Sequence, residues 1–170
     1  KQYSRYISKL CKVLFNIFPA IRKRKGKQTL VISLASTSVV DFLVENGLSR
    51  GDKLKSGLKI PKWILSEKHY RIACVRGLMD TDGCLFLQKL PVSFKKSGNI
   101  GFCFTSNSPE LINQVSSILR SFKITPHINY IGNRIYLYKG ESVIAYMKIF
   151  GTSNNRIRLV FNKWRGARAV

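Results

Sequence analysis

The residues Val75-Arg76-Gly77-Leu78-Met79-Asp80-Thr81-Asp82-Gly83 decide how the rest of the chain is interpreted. They continue a segment whose spacing predicts a helix over 70–81, and Gly83 is expected to end that helix in a left-handed conformation. Asp80 and Asp82 would then lie in or just after the last turn, where the negative end of the helix dipole disfavours a carboxylate. A cation near this helix end would offset the repulsion. With 8 acidic residues against 30 basic ones, two acids at this position indicate a function.

The charge of the whole chain predicts a polyanionic partner. The 170 residues carry a formal net charge of +22 and a pI near 10.3. Such a chain repels itself unless a polyanion binds it. Nucleic acid is the first candidate and an anionic membrane surface is the second. The basic residues are spread over predicted strands and loops rather than along one amphipathic helix, which favours nucleic acid. No apolar run is long enough to predict a membrane-spanning helix.

The four cysteines predict no zinc site. Cys11, Cys74, Cys84 and Cys103 show no metal-site spacing with one another or with the two histidines. Cys11 and Cys74 lie on apolar faces of predicted helices and are expected to be small core residues. The N-terminal segment lacks the apolar region of a signal peptide. An intracellular, reducing location is therefore expected, either the cytoplasm or nucleoid or, in a eukaryote, an organelle matrix.

Hydrophobic spacing divides the chain into alternating helices and strands. Apolar residues three and four positions apart predict helices, and β-branched or aromatic runs between turn residues predict strands. Pro61 begins a further short helix, in which Trp63 is expected to be a buried anchor. Ser36 or Thr37 is expected to cap the second helix. The predicted helices cover residues 3–18, 38–45, 70–81, 109–122 and 141–150 and a basic tail after 152, and the predicted strands cover 20–25, 27–35, 84–90, 100–105, 125–131 and 134–138.

An internal repeat organises these elements. The order helix, strand, strand, helix, glycine, basic connector occurs over residues 3–55 and again over 109–158. The ends of the two copies correspond, with one residue of slip, at Gly47, Ser49 and Lys53 and at Gly151, Ser153 and Arg156. The second copy follows the central helix and two strands, whereas the first follows nothing. We therefore expect a first central helix and its strands upstream of Lys1, a partial first repeat over 1–68 and a complete second repeat over 69–170.

The central stretch resembles the LAGLIDADG motif of homing endonucleases, carried here by Gly77-Leu78-Met79-Asp80-Thr81-Asp82-Gly83. Its surroundings are similar to those of the family as well, at Gly47-Leu48, Gly51-Asp52-Lys53, Ile60-Pro61-Lys62-Trp63-Ile64 and Gly151-Thr152-Ser153-Asn154. The resemblance covers about 3–158. The chain resembles the two-repeat, single-chain form of the family without its first motif helix.

The resemblance implies an α+β fold of αββαββα repeats, in which helices flank saddle-shaped antiparallel sheets and the first repeat is incomplete. It implies a site-specific DNA endonuclease that makes a metal-dependent double-strand break at a long recognition site. The implied partners are double-stranded DNA and a second motif helix, from upstream sequence or from a second chain. The implied cofactor is Mg²⁺ or another divalent cation such as Mn²⁺. Magnesium fits this chemistry because it takes oxygen ligands from few carboxylates, with phosphates and water completing its shell.

The family pattern also implies roles for particular residues. Asp82 would be the metal ligand, with Gly83 beside the metal, and Asp80 would be the more structural acid. Lys53 and Arg156, in the connectors after each repeat, would polarise the attacking water or stabilise charge. Lys53 could equally be a phosphate contact or a solvated lysine, and Arg156 cannot act as a base because arginine stays charged.

The spacing of small residues along the central helix predicts a helix interface. Ala73, Gly77 and Thr81 lie four apart and would let a second helix approach closely; ordinary core packing is the alternative. Arg76 and Asp80 are also four apart and are expected to pair on the helix surface.

Polar and basic residues on the predicted strands would contact DNA, because Arg and Lys suit guanine and Asn and Gln suit adenine. Alternation directs only about half of each strand to the DNA, and which half stays open. The basic run over 21–25 could instead protect a sheet edge. The predicted DNA-binding residues are Arg22, Arg24, Lys27 and Gln28 in the first repeat and Gln88, Lys89, Lys95, Lys96, Asn99, Arg134, Tyr136 and Tyr138 in the second, with Asn129, Tyr130 and Asn133 as further candidates.

Three functions share this pattern. The leading hypothesis is the endonuclease. The alternative is a cleavage-inactive nucleic-acid-binding protein of the same fold, such as an intron maturase or a DNA-binding regulator. An intein is the third, in which the chain would be the inserted nuclease domain, since its ends lack splice-junction residues.

Overall fold

The computed structural model describes residues 2–27, 29–51, 57–88 and 99–167. These residues form seven helices and six strands, and the strands make two antiparallel sheets. The predicted α+β class is confirmed. The chain divides into two compact units, Lys1–Arg50 and Gly51–Val170. Among the described helices, none has both the length and the apolar character needed to cross a membrane.

The first unit contains a helix, a hairpin and a second helix: α1 (Gln2–Phe15), β1 (Ala20–Lys23), β2 (Leu30–Ser33) and α2 (Thr37–Glu45). Ser36 caps α2 as predicted, since its side chain accepts a hydrogen bond from the Val39 N–H. The first helix ends three residues before its predicted end because Asn16 adopts a positive φ of 56°. Gly26, with φ of 69°, lies in the turn that joins β1 to β2.

The second unit follows the predicted order of helix, strand, strand, helix, strand, strand, helix. Its elements are α3 (Lys62–Ser66), α4 (Lys68–Asp82), β3 (Gly83–Gln88), β4 (Asn99–Thr105), α5 (Pro109–Ser121), β5 (His127–Asn129), β6 (Arg134–Leu137), α6 (Gly140–Ile149) and α7 (Asn155–Gly166). Ser108 caps α5 by accepting from the Leu111 N–H, and Pro109 occupies the first turn. The four strands of the sheet lie in the order β3-β4-β6-β5.

The register of the sheet separates a core face from an open face. Leu85 lies opposite Phe102, and Phe102 lies opposite Leu137, so these three side chains share one face. That face packs on α4, α5 and α6, where Val75, Val115 and Tyr146 are fully buried. Each large apolar side chain buried here contributes roughly 1.5–3 kcal/mol to folding. On the opposite face, side chains such as Cys84 and Arg134 are exposed.

Two expectations about single residues are wrong. Trp63 is 46% exposed rather than buried. The five-residue α3 directs Ile64 and Leu65 to the core, and Trp63 packs edge-on against Tyr70 outside it. Gly83 does not adopt a left-handed conformation, since its φ of −95° and ψ of 156° are extended and it begins β3 directly.

Candidate active site and nucleic-acid interface

Helix α4 presents one face to the core and leaves another face open. Val75 and Met79 are buried in the core. Ala73, Gly77 and Thr81 are all exposed, and a Cβ atom added at Gly77 would meet no atom within 4 Å. The small-residue stripe therefore takes no part in the core of the described chain. Its role as a helix interface stays a prediction.

Asp80 ties the end of α4 to the loop between α6 and α7. Its side chain is 3% exposed. The Thr152 hydroxyl donates to one carboxylate oxygen, and the Ser153 N–H donates to the other at 2.7 Å. The Asn154 side-chain amide donates to the Asp80 backbone carbonyl at 2.8 Å. These bonds satisfy groups at a helix end that would otherwise lack partners.

The predicted surface pair between Arg76 and Asp80 is wrong. Arg76 Nε donates to the Phe150 carbonyl oxygen at 2.5 Å instead. Both side chains are used to hold the C-terminal half of α4 against the end of α6 and the following loop. Contacts distant in sequence therefore replace the local pair that the spacing of four had indicated.

Asp82 is the last residue of α4 and is exposed. The Thr81 hydroxyl lies 3.2 Å from an Asp82 carboxylate oxygen and 3.0 Å from the Leu78 carbonyl oxygen. The carboxylate thus stands at the junction between the open face of α4 and the first residue of the sheet, where solvent or a ligand can reach it.

Glycine is required at position 83 because neighbouring atoms approach its Cα closely, and not because of its φ. A Cβ atom there would lie 2.7 Å from Phe102 Cε1 and would overlap the Met79 carbonyl oxygen. Only a residue without a side chain lets the chain pass directly from α4 into β3. This tight passage keeps Asp82 next to the sheet.

Arg156 lies near the same end of the sheet. Asn154 caps α7 by accepting from the Arg156 N–H at 3.1 Å, and α7 packs against β3. Burial and the neighbouring Cys103 thiol raise the pKa of Cys84, and the positive charge of Arg156 offsets part of that rise. The Arg156 guanidinium is thus close enough to influence Cys84, which follows Asp82 by two residues.

Most of the predicted DNA-binding residues of the second repeat that lie in the described part of the chain are on the open face of the sheet. Gln88 lies opposite Asn99, and Arg134 and Tyr136 share the same face through their pairing with Thr105 and Cys103. Tyr138, two residues after Tyr136, stacks on its ring with centroids 5.0 Å apart. The structure places these side chains together, and their contact with DNA stays a prediction.

Several residues on this face were absent from the predicted set, among them Cys84, Cys103 and Phe86. Cys84 and Cys103 lie directly opposite each other, and Phe86 covers Gly101 on the neighbouring strand. Alternation with Gln88 along the predicted strand over 84–90 was the signal that could have placed Cys84 and Phe86 on this face. Phe86 contacts Tyr136 edge-on at 6.3 Å, so the surface of this sheet is partly aromatic.

A family model described as LAGLIDADG-like domain matches residues 69–158, from α4 to the first part of α7. The match spans more than half of the chain and includes Asp80, Asp82 and Arg156. The chain belongs to the LAGLIDADG family. This membership groups it with homing endonucleases and maturase-like proteins. A search of curated proteins found no match.

The LAGLIDADG helix α4 fits one half of a magnesium site. Among the described residues no group of three His, Cys, Asp or Glu side chains could hold a metal ion. Mg²⁺ is commonly held by only one or two carboxylates together with phosphates and water. Asp82 supplies one exposed carboxylate beside the open face of the sheet, which fits that ligand set but does not fit a closed metal site.

The first unit carries the remaining described candidates. Arg22 is exposed and lies opposite Val31, and the Arg24 N–H closes the hairpin by donating to the Thr29 carbonyl oxygen at 2.9 Å. Lys27 is exposed in the turn. Gln28, Lys53, Lys89, Lys95 and Lys96 lie outside the described residues. Their assignments stay predictions.

Proposed function

We propose that the chain is a site-specific DNA endonuclease that cleaves the phosphodiester backbone with Mg²⁺ or Mn²⁺. The observation that carries the proposal is the position of Asp82, an exposed carboxylate at the end of the LAGLIDADG helix and beside the open sheet face. Charge supports a DNA partner. Only 8 acidic residues are available to pair with 30 basic ones, so at least 22 cations lack an intramolecular acid by stoichiometry alone.

The open stripe of α4 supports a second motif helix as the other half of the site. Ala73, Gly77 and Thr81 are small and exposed, and a Cβ atom added at Gly77 would meet no described atom within 4 Å. Small residues let helix axes approach closely and bring the two helix ends together. A second helix packed here would place its own last acid near Asp82. That helix would come from upstream sequence or from another copy of the chain.

The proposed roles follow from charge and position. Asp82 would hold the cation with an ionised carboxylate. The bound cation would lower the pKa of a water molecule and neutralise charge on the phosphate. Arg156 would stabilise the negative charge that develops on the phosphate but would not remove a proton, because arginine remains charged. Lys53 would be the second basic group. The base edges would be contacted by Gln88, Asn99, Arg134 and Tyr136. The phosphate backbone would be contacted by Arg22, Arg24 and Lys27.

The test uses a pool of supercoiled plasmids with long randomised inserts. The wild-type protein is expected to linearise a subset of the pool with Mg²⁺ or Mn²⁺ and none of it with EDTA. Asp82→Asn is expected to abolish linearisation while still retaining plasmid in a filter-binding assay. Cleavage by Asp82→Asn at the wild-type rate would overturn the proposal.

A second candidate function is a binding protein of the same fold without cleavage, such as an intron maturase or a regulator. The observation that favours it is that the described residues offer only one exposed carboxylate at this helix end, since Asp80 is buried. It predicts that wild type and Asp82→Asn bind the same sites with equal affinity and that neither cuts any member of the pool.

A further inference from the structure

An aromatic row crosses the open face of the sheet and ends at its edge strand. Phe86 contacts Tyr136 edge-on, Tyr136 stacks on Tyr138 with an interplanar angle of 8°, and Tyr138 contacts His127 at 5.6 Å. Tyr138 remains 43% exposed. These rings lie on the side of the sheet away from the core, so folding alone does not explain four neighbouring aromatic side chains there.

The row ends in a cleft of about 480 Å³ at the edge formed by β5, β6 and the start of α6. That volume lies within the range of small-molecule sites. The strand order places β5 three strands from β3, which is roughly 14 Å from the end of the sheet that carries Asp82. The cleft is therefore separate from the proposed cleavage site. Its lining includes His127, Tyr136, Tyr138, Lys123, Lys139 and Glu141.

The lining combines an aromatic wall with exposed cations. Lys123 and Lys139 are both exposed at the cleft and have no acidic partner in a described ion pair. Lys139 immediately precedes α6, whose first turn has no side-chain cap. Glu141 is the one carboxylate in the lining, and it would accept a hydrogen bond from an amino group rather than bind an anion. A ring with polar edges and an attached phosphate matches this distribution of groups.

We propose that this cleft binds an unpaired nucleotide of a single-stranded nucleic acid. The base would stack on Tyr138 and His127, and its backbone phosphates would contact Lys123 and Lys139. In single-strand-binding proteins, aromatic side chains on a sheet stack on bases and nearby cations follow the backbone. A duplex keeps its base faces covered and offers only base edges in the groove. An aromatic face therefore matches an unpaired base better than a paired one.

The binding assay uses fluorescent single-stranded oligonucleotides of DNA and of RNA, with EDTA present, so that cleavage cannot contribute. The wild-type protein is expected to bind the DNA oligonucleotide, the RNA oligonucleotide or both. Tyr138→Ala is expected to weaken single-strand binding by roughly 5- to 150-fold, the usual effect of removing one stacking ring. Tyr138→Phe keeps the ring and is expected to stay within about twofold of wild type, which separates stacking from hydrogen bonding by the hydroxyl.

A matched control and a direct contact measurement complete the test. Tyr70 lies on α4, is 41% exposed and does not line the cleft, so Tyr70→Ala is expected to leave single-strand binding unchanged. Oligonucleotides that carry 5-iodouracil are expected to crosslink to Tyr138 or His127. Preference for RNA would indicate contact with the 2′-hydroxyl, and equal binding would indicate stacking alone; both support the proposal.

Two outcomes would overturn the inference. One is an equal loss of single-strand binding in Tyr70→Ala and Tyr138→Ala, which would indicate binding without a defined cleft. The other is crosslinking only to residues outside the cleft. Neither outcome bears on plasmid linearisation, so the endonuclease proposal is tested separately.

Discussion

Two aspartates separated by one residue are expected to differ in how much the same substitution lowers the stability of the protein. Asp80 is 3% exposed and accepts hydrogen bonds from the Thr152 hydroxyl and the Ser153 N–H. Asp82 is exposed, and its described hydrogen bond is to the neighbouring Thr81. Asparagine has nearly the same shape as aspartate, so each change removes charge without opening a cavity.

The loss of unfolding free energy expected for Asp80→Asn follows from the two hydrogen bonds that the Asp80 carboxylate accepts. A hydrogen bond to a charged group contributes about 1.5–3 kcal/mol and a neutral one about 1 kcal/mol, so the loss of charge costs about 1 kcal/mol per bond. Asp80→Asn should therefore lower the free energy of unfolding by about 2 kcal/mol. For a chain of this length that lowers Tm by roughly 4–8 °C. Asp82→Asn should change stability by less than about 0.5 kcal/mol, as is usual at the surface.

The assay is thermal unfolding of wild type and both variants, followed by circular dichroism in one buffer without divalent metal. A double-mutant cycle with Thr152→Val isolates the contribution of the hydroxyl. The cycle is expected to give a coupling energy of about 0.5 kcal/mol or more, because the two groups are in contact. Equal losses of Tm in Asp80→Asn and Asp82→Asn would refute the assignment of Asp80 to structure and Asp82 to the surface.

Three further predictions concern other positions. Gly83→Ala should lower the free energy of unfolding by about 2 kcal/mol or more in urea titrations, because the new methyl group overlaps the Met79 carbonyl oxygen; a midpoint equal to wild type would contradict this. Gly77→Ala should raise Tm, since the site is open and alanine favours the helix by about 1 kcal/mol, yet weaken association with a second motif helix in sedimentation experiments. Burial raises the pKa of Cys74 to about 11 from 9.0, so the folded thiol should resist iodoacetamide at neutral pH. Because this pKa is higher in the folded state, its contribution to stability is present below pH 9.0 and is lost as pH rises through about 11. Mass spectrometry of native and urea-unfolded protein checks the protection of Cys74.

Local patterns predicted the elements of the second unit closely. The helix predicted over 70–81 is α4 (Lys68–Asp82), and the strand predicted over 100–105 is β4 (Asn99–Thr105). Hydrophobic periodicity and capping residues act within a few positions, so one sequence contains that information. The strands of the hairpin in the first unit are shorter than predicted, at four residues each, because end positions depend on pairing rather than on propensity.

Errors arose where a residue's partner is distant in the sequence. The partners of Asp80 are Thr152 and Ser153, more than 70 residues away, and no local spacing indicates them. The requirement for glycine at position 83 was attributed to φ. The actual reason is its approach to Met79 and to Phe102 on the next strand.

The sequence by itself determined the family, the order of helices and strands around α4 and the excess of positive charge. Its resemblance to the family is what implies that Asp82 is the acid at a metal. Those properties depend on residue types and on spacing along the chain. Tertiary structure alone decided that Asp80 is buried, that the stripe with Gly77 is open, and that Gln88, Asn99, Arg134 and Tyr136 share one face. The physical reason is that alternation defines two faces of a strand, whereas only packing of the helices determines which face is covered.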